Sequence, residues 1–422
     1  MGHALFLVTV YTILYGTGML TNAPTAKNLV VWDGLYFDSV RQAGYVFTES
    51  RTNIPFFPLF PYLWRWLGVD GLGISGINFG FLLLGTGILG HTFGMRRYQV
   101  LLLLSVPTVF FCLVPYAEAL FFFFGAILLR GMHRQQLGLT VVGLIGCCLA
   151  RSAATLFVPA FVFAEALACV TRAELPRLAL RIGAGLLAIA AALGLVLYLH
   201  YQATGDAWIF FTAHEKWAHV PHWWPLPSRL HSAVGITVLW LDLLAVFTGL
   251  LALVICLNLG IRWLVCWFWP GANGHSPAPS RAILFALAYC SAAIGFIFIY
   301  QNGDLVGSSR YVLATPFFGV LLLELFRWRT LPSRTRWAMG GLAIAIALGL
   351  MIWLGWPARF PGFFPAEAHV FFALWVAYVL LYPLAALERW RYAREVRAGL
   401  YVANVVYQAF LLNTFISQVW MG

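Results

Sequence analysis

A chain of 422 residues in which 62% are hydrophobic and only 10% charged is not a water-soluble domain, where about a quarter of residues carry charge. The mean hydropathy of +0.83 says the same, since an aqueous fold has too little interior to hide so much apolar surface. The net charge of +11 would suggest nucleic acid in a soluble protein, but most of the basic residues here sit in short gaps between apolar runs. That is a membrane-topology pattern, and no nucleic-acid partner is expected.

In lipid only helices and closed barrels satisfy their own backbone hydrogen bonds, and a helix needs about 20 apolar residues to cross. Continuous apolar runs, with no period-two alternation, select helices. Such runs lie at about 2–20, 72–93, 98–114, 116–130, 137–150, 153–170, 178–201, 232–257, 282–301, 310–326, 337–355, 368–387 and 400–420. The expected fold is therefore all-α: one polytopic transmembrane domain over residues 1–422, with about 12–13 spans. The runs on either side of Arg151 are too short to cross upright, which predicts a broken or re-entrant pair there. The first run, MGHALFLVTVYTILYGTGML, lacks a basic n-region and a small-residue cleavage site, so it is expected to be a retained span and not a targeting peptide.

With a cytoplasmic N-terminus, alternate loops carry Arg96 and Arg97; Arg130 and Arg134; Arg172, Arg177 and Arg181; Arg262 and Arg281; Arg327, Arg329, Arg334 and Arg336; and Arg389, Arg391, Arg394 and Arg397. Those are 17 of the 26 lysines and arginines, all on one side, which orients the chain. The other side receives loops at about 21–71, 202–231, 302–309 and 356–367, with both lysines and most of the acids. Chemistry is expected on that noncytoplasmic face.

In the first of these loops Asp33 follows an apolar run and Trp32, which sets a carboxylate at the membrane–water interface. Such a group needs partners or a purpose, and it reads either as a chemical group or as the cap of an interfacial helix. Asp38 and Glu49, further along the same loop, read as solvated. Glu118, in FCLVPYAEALFFFFG, is either a carboxylate facing a cavity or one satisfied at a helix N-terminus. Arg151 and Arg310 each suit an ion pair or an anionic phosphate. The loop around HEKWAH holds five of the ten histidines and four tryptophans. The two histidines in HEKWAH are five apart, where a zinc-binding helix needs four, so a sugar-gripping or interface-anchoring role fits better than zinc. The seven cysteines lie in or beside apolar runs without ligand spacing and read as small core residues. No metal or other cofactor is expected.

WDGLYFDSVRQAGY followed by FFPLFP resembles the PIG-V family, the second mannosyltransferase of GPI-anchor assembly and its bacterial relatives. PYAEALFFFFG, ATGDAWIFFTAHEKWAH and SSRYVLATPFF are similar to three further stretches of that family, in the same order and with similar spacing. The chain departs from it at Leu35, Tyr36 and Phe37, where many members have a histidine soon after the WD pair. It also departs at His214, Glu215 and Lys216, where bacterial members often have glutamine before the tryptophan. The resemblance implies a GT-C glycosyltransferase that moves a mannosyl residue from a polyprenyl-phosphate donor to a lipid-linked or glycan acceptor on the noncytoplasmic face, with inversion. On that reading Asp33 is the base and Glu118 orients it or the acceptor. Arg310 meets the carrier phosphate, backed by Arg151 or Lys216; His214, Trp217 and Tyr311 fall on the donor side, and Trp32, Asp38 and Glu49 on the acceptor side or in its loop. The partners are membrane lipid, the donor and the acceptor. The absence of eukaryotic retention signals points to a bacterial inner membrane over the endoplasmic reticulum.

Two other readings share these features. A transporter or flippase of a lipid-linked sugar would keep the spans and buried charges, but no internal repeat is visible. In a noncatalytic scaffold, Asp33, Glu118, Arg151 and Arg310 would form internal ion pairs. The topology makes its own prediction: in intact cells an impermeant thiol reagent should label Gly205→Cys and leave Arg334→Cys unlabelled, and the opposite result would invert the orientation.

Overall fold

The structure, a computed structural model, describes residues 2–48, 52–152, 154–169, 171–216, 236–268, 279–300, 307–327, 333–353, 365–387 and 390–420. The first helix, α1 (Gly2–Gly16), leads to α2 (Asp33–Ala43), α3 (Leu59–Leu67) and α4 (Gly71–Phe93). After α5 (Arg97–Leu104) comes a 3-10 segment, Pro107–Leu113, then α6 (Glu118–His133), α7 (Leu137–Ala150) and α8 (Ala154–Leu167). The longest elements are α9 (Leu175–Thr204) and α11 (Ile236–Phe268), separated by the short α10 (Ile209–Lys216). The chain continues through α12 (Arg281–Tyr300), α13 (Ser308–Val312), α14 (Pro316–Phe326), α15 (Ser333–Trp353), α16 (Pro365–Ala386) and α17 (Ala393–Ile416). Among the described residues the only β contact is an isolated bridge between Phe47 and Thr52.

Among the described residues, five helical stretches are long and apolar enough to cross a membrane: Gly71–Phe93, Arg172–Thr204, Trp240–Phe268, Arg281–Tyr300 and Ala393–Ile416. Six shorter apolar helices accompany them. The chain is an integral, multi-pass, all-α membrane protein. Its apolar surface does not itself drive helices together in lipid, so close backbone approach matters. Helices α6 and α7 meet in this way: a Cβ on Gly143 would lie 2.5 Å from the Leu128 nitrogen, and one on Gly131 would lie 2.5 Å from that of Thr140.

The expected break at Arg151 separates α7 from α8. Another break occurs earlier, where the 3-10 segment Pro107–Leu113 and α6 meet at 104° around Pro115. Proline has no N–H to continue a helix, so carbonyls nearby lose their intrahelical donors. Side chains from other helices replace them. Asn78 of α4 donates from Nδ2 to the carbonyls of Val114 (2.7 Å) and Tyr116 (3.0 Å). Gln408 of α17 donates from Nε2 to those of Leu104 and Val106, both at 2.8 Å. Beside it, Asn404 donates to the hydroxyls of Ser105 and Tyr382 and accepts from that of Tyr378.

Several described arginines of the arginine-bearing loops join helix ends. Glu165, fully buried, is held by Arg181 (2.7 and 2.8 Å) and by Arg281 (3.0 Å). Arg181 also reaches the Gln135 carbonyl, Arg327 that of Phe93, and Arg397 that of Ala385 while lying over the Tyr98 ring. Elsewhere Asn413 accepts the backbone N–H groups of Thr21 and Asn22, and Phe415 packs edge-on against Tyr116.

Replacing Gln408 by leucine would take the side-chain donor from the Leu104 carbonyl in the membrane interior, while that of Val106 keeps the Val109 N–H at 2.9 Å. Gln408→Leu is expected to lower stability by about 1–3 kcal/mol, read as a fall in the thermal transition of the protein in lipid nanodiscs. An unchanged transition would mean that the Leu104 carbonyl finds another donor.

Candidate functional site

Asp33 is the first residue of α2, where a carboxylate is favoured by the free amides and the dipole of the first turn. The residue before it, Trp32, has φ 53°, a left-handed conformation that a bulky side chain adopts at a cost of about 1–3 kcal/mol. Its indole N–H is buried without a hydrogen-bond partner among the described residues. Beyond this corner, α2 buries Gly34, Phe37 and Val40, and Phe37 packs edge-on against Phe56 and Phe60 of the proline-aromatic run.

Glu118 is the first residue of α6, just past the 104° bend. Its side chain is only 1% exposed, while that of Asp33 is 23% exposed. One arginine joins them. Arg310, in the short helix α13, places Nη2 2.6 Å from Asp33 Oδ2 and directs Nε to Glu118 Oε1. Arg151, in extended conformation just after α7, approaches the same Glu118 oxygen with Nη1 at 3.2 Å. The four side chains form one chain of alternating charge: Asp33, Arg310, Glu118, Arg151.

Aromatic faces complete it. The Arg310 guanidinium lies 4.6 Å from the centre of the Tyr116 ring and 5.4 Å from that of Phe111; Arg151 lies 4.6 Å from Tyr311 and 5.6 Å from Phe121. Rings stabilise a cation through their negative faces where water is scarce. The Tyr116 hydroxyl accepts the backbone N–H of Asp33 at 3.3 Å, so the residue following Pro115 supports both ends of the Asp33–Arg310 pair. The Tyr289 hydroxyl donates to the Tyr311 carbonyl and steadies the segment that carries Arg310.

Of the residues expected from sequence, Asp33, Glu118, Arg151, Arg310 and Tyr311 come together, with Trp32 adjoining. Asp38 stands apart, paired on its own helix with Arg41 at 2.6 Å and Gln42 at 2.6 Å. His214 and Lys216 belong to α10, whose Ile209 and Ala213 pack against Val40 of α2 and against Tyr45 and Ile54, so the second long loop begins beside the first. Glu49 and Trp217 lie outside the described residues. All seven cysteines are free, and all but Cys266 are buried, as small core residues should be. Among the described residues no cluster of three or more histidine, cysteine, aspartate or glutamate side chains could hold a metal ion.

Two participants were missed by sequence reasoning. Tyr116 is a neutral residue in an aromatic run and gives no signal of its own, whereas Asp242, a single acid in the run VLWLDLLAVF, does. Compared with family models, curated proteins and solved structures, the chain matches none.

The exposures rank the two acids. Removing Glu118 leaves Arg310 and Arg151 buried with too little negative charge, and Glu118→Ala is expected to lose about 3–5 kcal/mol of stability. Asp33→Asn, at the partly exposed end and still offering an oxygen to Arg310, should cost about 1 kcal/mol or less. Thermal transitions of the two variants in the same lipid will order them, and an equal loss would contradict the assignment of Glu118 as the structural centre.

Proposed function

We propose that this protein is a GT-C glycosyltransferase that transfers a mannosyl residue from a polyprenyl-phosphate donor to a lipid-linked or glycan acceptor, with Asp33 as the general base. The observation that carries the reading is a partly exposed carboxylate, at a strained helix start, clamped by an arginine to a buried acid. A base must be held in place and still reach the acceptor hydroxyl, and Asp33 meets both conditions. The resemblance of WDGLYFDSVRQAGY and its companion stretches to the PIG-V family supplies the substrate class and the sugar.

In the reaction Asp33 takes the proton of the acceptor hydroxyl while that oxygen attacks the anomeric carbon. The bond to the carrier phosphate breaks with its electron pair, the configuration inverts, and the carrier leaves as a phosphate monoester that needs no added proton. Positive charge near the departing phosphate lowers the barrier. Arg310 already serves two carboxylates, so its main part is to hold Asp33. Arg151, 11% exposed and touching Glu118 with one nitrogen, suits the phosphate better. The basic residues of the alternate loops support, by the positive-inside rule, a noncytoplasmic location for Asp33, and a bacterial inner membrane is the proposed location.

The same chain of ion pairs would serve a noncatalytic scaffold, and turnover separates the two. Protein reconstituted in lipid with radiolabelled polyprenyl-phosphomannose and a crude lipid and glycan extract should move label from the carrier. Asp33→Asn should lose that activity by a factor of about 10³–10⁴ while keeping its fold. Transfer at the wild-type rate by Asp33→Asn would remove Asp33 from the chemistry; an intact carrier with stable wild-type protein would direct attention to flipping of a lipid-linked sugar.

A further inference from the structure

Asp242 is fully buried in α11, within a run that contains no other charged residue. A carboxylate at such a place is costly unless it has a task and a partner. Its Oδ1 accepts the backbone N–H of Ser309 at 2.8 Å. Ser309 immediately precedes Arg310, in the first turn of α13, and the first amides of a helix have no partners within it. Helix α13 spans only Ser308–Val312 and is entered through Gly307 at φ 80°. One turn fixes too few hydrogen bonds to hold itself, so the direction in which Arg310 leaves the backbone depends on what grips that turn.

We propose that Asp242 is the positioning residue for Arg310: by accepting the Ser309 amide it sets α13 so that the guanidinium reaches Asp33 and Glu118 together. It touches neither substrate nor the reacting atoms, and it acts through the backbone at the start of α13. What it supplies is a hydrogen-bond acceptor at a defined point, which an asparagine can supply as well and an alanine cannot. The consequence for transfer rests on the glycosyltransferase reading; the consequence for α13 does not.

The test has two arms on the full-length protein in nanodiscs. In hydrogen–deuterium exchange, peptides covering residues 307–313 should exchange faster in Asp242→Ala than in wild type and as in wild type in Asp242→Asn. In transfer from polyprenyl-phosphomannose, Asp242→Ala should lose kcat by about a hundredfold, the scale of a misplaced reacting group, with little change in donor KM, while Asp242→Asn keeps most of the wild-type rate. Gly307→Ala, which strains the entry to the same turn without touching Asp242, should show the same loosening and the same fall in kcat, and it carries the test if Asp242→Ala does not fold. Unchanged exchange in Asp242→Ala, or an Asp242→Asn that fails as the alanine does, overturns the proposal. A wild-type protein without transferase activity would sink the enzymatic reading and leave the exchange arm to decide the role of Asp242.

Discussion

Glu118 has almost no exposed surface, it lies beside the 104° bend, and one of its oxygens receives two guanidinium groups. A carboxylate so placed is tolerable only with good partners, and each partner would itself be an unpaired buried charge without it. The consequences extend over the bundle. Through Arg151 Glu118 binds the junction of α7 and α8; through Arg310 it binds the segment that joins α12 to α14, and beyond it Asp33 on α2. Elements far apart in the chain are thus held to one point by charge, where apolar contact alone would be weakly directional in lipid.

That point exists because the backbone around Pro115 is irregular, and irregular backbone is stable at membrane depth only where its polar groups are satisfied by protein. Asn78 meets this requirement at the bend, and Gln408 meets it at the start of the 3-10 segment, through the carbonyls of Leu104 and Val106. Neither carries charge, yet Asn78 holds the bend that turns Glu118 inward and sets the Tyr116 ring under Arg310, and Gln408 holds the segment that leads into it. Carbonyl satisfaction by two amide side chains and charge satisfaction by two arginines are successive parts of one construction. Elsewhere, Glu165 with Arg181 and Arg281 repeats the theme of a buried acid between two arginines. There all three side chains join helix ends, and the contacts to the Gln135, Phe93 and Ala385 carbonyls mark it as a structural seam.

Much of this was legible in the sequence, for identifiable reasons. Asp33, Glu118, Arg151 and Arg310 each stood out as a charge in apolar surroundings, and that signal is local. Which acid meets which arginine was not legible, since the answer depends on how α2, α6, α7 and α13 pack. Asp242 and Glu165 gave the same local signal but sat inside long apolar runs, away from any loop or motif. The run at 98–114 reads as one apolar segment, while the structure divides it at Ser105 and Val106 into α5 and a 3-10 segment, because Gln408 and Asn404 reward the break with hydrogen bonds that composition does not reveal. The loop at 202–231 reads as irregular, yet Ile209–Lys216 is helical, since Ile209 and Ala213, one turn apart, find an apolar surface on the first loop.

Trp32 brings these threads to the candidate site. A tryptophan at φ 53° is held there by its surroundings, since nothing in the residue favours it. On one side Asp33 is bound through its carboxylate to Arg310 and through its amide to Tyr116; on the other, Leu29 and Val31 are buried in the main core. Relaxing the torsion would turn α2 about its own start and draw Asp33 from Arg310, so the ion pair and the strain sustain each other. A carboxylate merely capping a surface helix would need no such corner. One that must stand partly open to solvent while locked to a buried cation does, and the strained tryptophan is where the fold meets that demand.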